Sequence, residues 1–291
     1  MTPSPFITAA ALAVALDSEH PPVVIDATYL LEKPRFDGDY RSRPALDEFQ
    51  VKHLPGAMYV DVQAQFSDPE GATHYTHPEP GPIVAELARL GIRRHTPVVV
   101  YDTIDTMFAA RLWYLLTWVG MNARVLDGGL AAWEGAGFAV VASPAAVLTP
   151  VDPWVAEPAR EAWITKDELL ARSEADARPL VCGLPVASFA GTAPTRYSRR
   201  GHIPGSVNVS SRDLFAPDGT VRGEAELREA YVVEGALGEE EVLLYCGGGI
   251  SATANALTLA QLGVTAVRVY DGSLEEWSAD ESLALELELG T

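Results

Sequence analysis

Residues 242 to 263 read VLLYCGGGISATANALTLAQLG, from Val242 to Gly263, and this stretch decides the fold. Four apolar residues predict a buried strand, three consecutive glycines a tight turn, and about a dozen residues stopped by Gly263 a helix. Cys246 stands where the strand meets the turn. A thiol in that place faces the backbone N–H groups of Gly247, Gly248, Gly249, Ile250 and Ser251 and the positive end of the following helix, which favours thiolate over thiol. The glycines let the backbone curl with its amides inward and leave room beside the sulfur for an anion.

The same pattern occurs once more, upstream. Val98-Val99-Val100-Tyr101 ends at Asp102, and 25 residues later Asp127-Gly128-Gly129 appears, with Trp133 six beyond the aspartate. In the second half Val242-Leu243-Leu244-Tyr245 ends at Cys246, and 25 residues later Asp271-Gly272-Ser273 appears, with Trp277 six beyond. His53-Leu54-Pro55-Gly56-Ala57 parallels His202-Ile203-Pro204-Gly205-Ser206. Ile7-Thr8 and Ile164-Thr165 both precede a helical stretch, with the threonines as expected N-caps. The apolar run Phe6 to Leu16 is thus the first helix of repeat one rather than a secretory segment.

Short β-branched runs alternating with helical stretches argue for βαβ units in each half, and so for an α/β fold with two tandem parallel sheets flanked by helices. The stretch from Ser143 to Pro158 holds four prolines and reads as an extended linker. The expected organisation is a first domain over residues 1–143, a linker over 144–158 and a second domain over 159–291.

Composition narrows the function. A chain of 291 residues with 48% apolar and 21% charged residues is an ordinary globular protein of about two domains. A net charge of -19 opposes binding to nucleic acid or anionic lipid, so neither is an expected partner, and any anionic substrate needs a local attraction. Two cysteines, Cys182 and Cys246, far apart and without nearby histidine pairs, give no metal site and suit a reducing cytoplasm. No cofactor is expected, and the internal duplication already supplies a domain interface, so a monomer is the default.

Two other chemistries share parts of the motif. A cysteine-dependent phosphatase needs an arginine six residues after the nucleophile, where this chain has Ala252. A dinucleotide site matches Gly247-x-Gly249-x-x-Ala252 after a strand, with Asp271 downstream. That motif normally opens a long doubly wound domain, whereas only 39 residues follow Ala252 and the Asp102 turn of repeat one lacks glycines.

The duplicated HxPG and DGGxxAW or DGSxxEW elements, with Cys246 in one copy and Asp102 in the other, resemble the two-domain rhodanese family of thiosulfate and 3-mercaptopyruvate sulfurtransferases. The most specific parts are CGGGIS at 246–251, GHIPG at 201–205 and YDGSLEEW at 270–277. The resemblance implies an inactive first domain, a catalytic second domain and a site in the crevice between them. It implies a ping-pong reaction in which Cys246 takes a sulfane sulfur from a small anionic donor and passes it to cyanide or a thiol. The loop Gly247 to Ser251 and Arg196 are the implied donor-binding residues.

Departures from the family pattern lie in the loop and the clamp. Thiosulfate-preferring members carry CRKGVT and mercaptopyruvate-preferring members CGSGVT, where this chain has CGGGIS. Ser188 occupies the place of the first donor-binding arginine, and Arg196 that of the second. A non-catalytic sulfur carrier or sensor is therefore the alternative to the enzyme. Cys182 reads as structural, Arg199 and Arg200 as solvated loop residues, and His53 and His202 as braces of their turns. His77, with Gln63 at its presumed partner position, is a lesser catalytic candidate, and the tryptophans read as core and interface.

Overall fold

In the computed structural model, residues 4–142, 144–173, 175–238 and 240–287 are described. The expected boundary at Ser143 and the limits at Met1 and Thr291 lie outside the described residues. The first half runs β1 (Phe6–Ile7), α1 (Ala9–Leu16), β2 (Val23–Asp26), β3 (Tyr29–Leu31), β4 (Ser42–Pro44), α2 (Leu46–Val51), β5 (Met58–Tyr59), α3 (Val62–Gln65), α4 (Pro80–Arg89), β6 (Val98–Tyr101), α5 (Met107–Trp118), β7 (Ala123–Leu126) and α6 (Gly129–Gly135). The second runs β8 (Trp163–Ile164), α7 (Lys166–Leu170), β9 (Leu180–Cys182), α8 (Val186–Phe189), β10 (Val207–Asn208), a 3₁₀ turn (Ser211–Leu214), α9 (Glu224–Val233), β11 (Val242–Tyr245), α10 (Ser251–Gln261), β12 (Val267–Tyr270) and α11 (Ser273–Ala279).

Each half builds a five-stranded parallel sheet. The orders, β1-β7-β6-β2-β5 and β8-β12-β11-β9-β10, are the same when the strands are matched by repeat. The central strands β6 (VVVY) and β11 (VLLY) are buried at every residue, as continuous apolar runs must be when helices cover both faces of a parallel sheet. β3 and β4 form a separate antiparallel ribbon.

Local signals behave alike in both copies. Thr8 Oγ1 accepts from Ala11 N at 3.2 Å and Thr165 Oγ1 from Glu168 N at 3.2 Å, so both threonines cap the helices that follow them. The Trp133 and Trp277 indoles donate to the carbonyls of Ala139 and Ala284 at 2.8 and 2.9 Å, each closing its domain's last helix onto the following strand of chain. Residues 144–158 form no helix or strand and run largely exposed.

The seam between the halves follows from two helices that are apolar all round. Every residue of α5 except Thr117 is buried, as are Ala252 to Leu259 of α10, and a helix of that kind must be covered on both sides. The two pack on each other, so that one apolar cluster holds Met107 and Phe108 together with Cys246 and Ile250. The helices that leave the Asp102 and Cys246 turns therefore form the domain interface.

Candidate active site

Cys246 follows the last residue of β11 and is 2% exposed. The strand end is fixed by Tyr245, whose phenol accepts from Ile203 N at 3.0 Å and so ties the strand to the His202-Ile203-Pro204 turn. The loop beyond it is stapled to the start of α11. Ser273 Oγ accepts from both Cys246 N and Gly249 N at 3.1 Å, and it donates to Tyr270 O at 2.8 Å. In return, Leu274 N donates to Cys246 O at 3.2 Å and Glu275 N to Gly247 O at 2.8 Å, which satisfies two amides at the helix N-terminus.

Gly249 is the one loop glycine whose backbone demands it. Its φ is +73°, and an added Cβ would lie 2.5 Å from Asp271 Oδ1. Its amide is also committed to Ser273, so not all five loop amides expected to face the sulfur are available. Among the described residues the N–H groups of Gly247, Gly248 and Ile250 have no hydrogen-bond partner.

The first domain shows what such amides hold. Asp102 Oδ1 accepts from Ile104 N and Thr106 N at 3.1 and 2.9 Å, and Oδ2 from Ala109 N at 3.0 Å. Ile104 and Thr106 lie two and four residues past Asp102, as Gly248 and Ile250 do past Cys246. A carboxylate fills the amide cradle in one copy; in the other a thiol stands at its edge and the matching amides stay open.

The sequence reading missed the residues that cover this loop. Tyr197 is buried over Gly247, its phenol so close that no side chain fits at that position. Burial first, and then the charge of Cys246, holds the phenol well above its ordinary range. Glu275 faces Gly248, where an added Cβ would stand 3.2 Å from Oε2, and its Oε1 accepts from His74 N at 3.2 Å. Tyr40 stacks on His74 with ring centroids 3.9 Å apart and meets the edge of Tyr197. One sequence signal did mark the staple. Repeat one has Gly129 where repeat two has Ser273, and Gly129 lies against Asp102 O, leaving no space for a side chain.

The arginines are distributed differently from expectation. Arg196 donates through Nε to Glu32 O at 3.0 Å and through its terminal nitrogen to the carbonyls of Leu31 and Glu32, away from the Cys246 loop. Arg199 corrects the expectation of a solvated side chain: its guanidinium donates to the carbonyls of Ser278 and Asp280, left free at the C-terminal end of α11, at 2.9 and 2.7 Å, and to that of Leu283 just beyond it at 2.9 Å. Arg200 pairs with Asp37 at the rim. Arg111 of α5, wholly buried, instead reaches the loop from behind, donating to Asp271 Oδ1 at 2.6 Å and Gly249 O at 3.4 Å.

The remaining candidates fall outside the loop. Cys182 ends β9 wholly buried, and burial pushes its thiol up to about 12, which keeps it protonated. His53 and His202 brace their turns in the same manner, with Nδ1 at 2.7 Å from Phe49 O and at 2.9 Å from Phe189 O, each stacked on that phenylalanine. His77 lies at the seam, its ring stacked on Trp163 at 4.2 Å and its amide donating to Asp271 Oδ2 at 2.6 Å. Burial holds its imidazole below the ordinary value. Gln63 Oε1 accepts from Tyr75 N at 3.2 Å rather than from His77. Among the described residues no helix is long and apolar enough to cross a membrane.

Two tandem α/β domains of identical strand order, one with a cysteine and one with an aspartate at the end of the central strand, define a duplicated rhodanese fold. The model of the Rhodanese-like domain matches residues 14–136 and 191–280. The putative thiosulfate sulfurtransferase SseB of Mycobacterium tuberculosis is 32% identical over 94% of each chain. The probable 3-mercaptopyruvate sulfurtransferase of Pseudomonas aeruginosa is 32% identical over 96% of this chain and 97% of that one. The crystal structure of SseA, a 3-mercaptopyruvate sulfotransferase from Escherichia coli, superposes with a TM-score of 0.79 at 28% identity, over 93% of this chain and 99% of that one. The chain belongs to the rhodanese family and is a sulfurtransferase.

Proposed function

We propose that the second domain, residues 159–291, moves a sulfane sulfur through a persulfide on Cys246, and that the first, residues 1–143, joined by the linker 144–158, is non-catalytic. The observation that carries this reading is the pair of open amides at Gly248 and Ile250, whose counterparts at Ile104 and Thr106 hold the Asp102 carboxylate. An anionic sulfur placed on Cys246 meets the donors that the carboxylate meets in the other copy.

With thiosulfate, the Cys246 thiolate attacks the outer sulfur, the S–S bond of the donor breaks, and sulfite leaves with the electron pair. With 3-mercaptopyruvate the C–S bond breaks, and the carbon gains a proton to give pyruvate. Cyanide or a thiolate then attacks the outer sulfur of the persulfide, and Cys246 departs as thiolate, restoring the enzyme. Gly247 to Ser251 line the anion's place. Arg196 joins the donor site on releasing the carbonyls of Leu31 and Glu32. The protein acts as a cytoplasmic monomer without cofactor or metal.

The test is thiocyanate formation from thiosulfate or 3-mercaptopyruvate plus cyanide. The expected result is turnover that Cys246→Ser abolishes and Cys182→Ser retains; turnover surviving Cys246→Ser overturns the mechanism. A mass gain of one sulfur on Cys246 without turnover supports the carrier reading, which the burial of the thiol favours.

A further inference from the structure

The carboxylate beside the Cys246 loop is held at one oxygen only: Glu275 Oε1 accepts from His74 N at 3.2 Å and pairs with His74 Nδ1. Glu275 Oε2 is shielded from solvent, has no hydrogen-bond partner, and faces Gly248 of the loop. The nearby arginines have other partners: Arg196 the Leu31 and Glu32 carbonyls, Arg199 the end of α11, Arg200 Asp37, and Arg111 Asp271. A buried carboxylate oxygen without a partner is costly, so its presence next to a reactive loop points to a partner that arrives with substrate. The rings of Tyr40, which stacks on His74, and Tyr197 stand beside the free oxygen, and aromatic walls with a carboxylate suit a cation. The net charge of -19 attracts cations rather than anions to the protein as a whole.

We infer that Glu275 makes this site select a sulfur acceptor that bears an ammonium group. The inference rests on the sulfurtransferase reading and names its acceptor class. The acceptor's ammonium donates to Glu275 Oε2, while its thiolate, having lost its proton to solvent, attacks the outer sulfur of the Cys246 persulfide. The bond between Cys246 Sγ and that sulfur breaks, Cys246 leaves as thiolate, and the acceptor departs as a persulfide. No net oxidation occurs, since the sulfane sulfur only changes partners.

The experiment loads the full-length protein with sulfur from thiosulfate or 3-mercaptopyruvate and compares kcat/KM for 2-aminoethanethiol with that for mercaptoacetate, in the wild type, Glu275→Gln and Glu275→Lys. Intrinsic differences between the two thiols cancel when ratios are compared between variants. The expected result is a preference for the amine that falls by about tenfold in Glu275→Gln, as the loss of a partly buried charge pair implies, and reverses in Glu275→Lys. Should one variant fail to fold, the other carries the comparison. Ratios that stay within about twofold of wild type overturn the inference alone, given that such a change is below what a close, partly buried charge pair supplies. Absence of a persulfide mass on wild-type Cys246 after treatment with either donor overturns the sulfurtransferase reading, and this inference with it.

Discussion

Arg111 of the first domain and Asp271 of the second form a buried ion pair at 2.6 Å, and the same guanidinium donates to Gly249 O in the cysteine loop and to Tyr75 O. The domain without the nucleophile thus holds the loop that carries it. Removing one member of such a pair leaves an uncompensated charge in the interior, so Arg111→Met should destabilise the protein by about 3 to 5 kcal/mol. Adding Asp271→Asn should return part of that loss. A double-mutant cycle by urea unfolding, with kcat for thiocyanate formation measured alongside, checks it; strictly additive effects would contradict the pairing.

The loop glycines should differ in tolerance. Gly249→Ala meets both a φ of +73° and Asp271 atoms at 2.5 and 2.9 Å, which predicts a loss of at least about 2 kcal/mol. Gly248→Ala places its methyl 3.2 Å from Glu275 Oε2, the end of a side chain, so that a shift of a few tenths of an ångström relieves the contact. It should cost less than Gly249→Ala, because no left-handed backbone strain adds to the contact. Thermal unfolding of the two variants gives the comparison, and equal losses would be inconsistent with the loop geometry.

Tyr197 closes the site. Tyr197→Ala removes a buried ring from over Gly247, and it should lower stability by about 3 to 5 kcal/mol as large-to-small core changes do. It should also expose the thiol. The second-order rate of Cys246 alkylation by iodoacetamide should therefore rise by about tenfold or more, because access as well as thiolate character controls cysteine reactivity. A rate equal to wild type would show that Tyr197 is no barrier.

Asp105, in the first domain's turn, sets a pH dependence. Burial and then the Asp102 charge raise its carboxyl from 3.8 to about 6, while Arg212 at 2.7 Å opposes them. The folded state therefore binds this proton more tightly than the unfolded chain, and the group's contribution to stability falls as pH rises from 3.8 to about 6, then levels off. Asp105→Asn lacks this slope. The melting temperature of wild type minus that of the variant should be largest near the lower end of that window and decline across it; a difference that grows with pH would reverse the assignment.

Much of the fold was legible because its signals are local. VVVY and VLLY, the caps at Thr8 and Thr165, and the repeated spacing to Asp127 and Asp271 each depend on a short span of chain, and all appear in the structure as strands, helix starts and matched turns. The braces at His53 and His202 were legible for the same reason. Arg199 was not, because its acceptors are carbonyls near the end of α11, about eighty residues away, whose availability depends on where that helix stops.

The sequence by itself determined that this chain is two copies of one α/β unit and that only one copy carries a thiol at the end of its central strand. A strand, a glycine turn and a helix are specified by neighbouring residues, so their order survives without knowledge of the fold. Apart from Ser273 beneath the loop, which the repeat comparison marked, the tertiary structure alone decided what surrounds that thiol: Tyr197 above Gly247, Glu275 beside Gly248, and Arg111 reaching across the seam. Those neighbours lie from 24 to 138 residues apart along the chain from the loop atoms they touch, as Gly249 with Ser273 and with Arg111 shows. Pairing of β12 with β11 brings Ser273 and Glu275 to the loop, and the packing of α5 on α10 brings Arg111, neither of which a local pattern records.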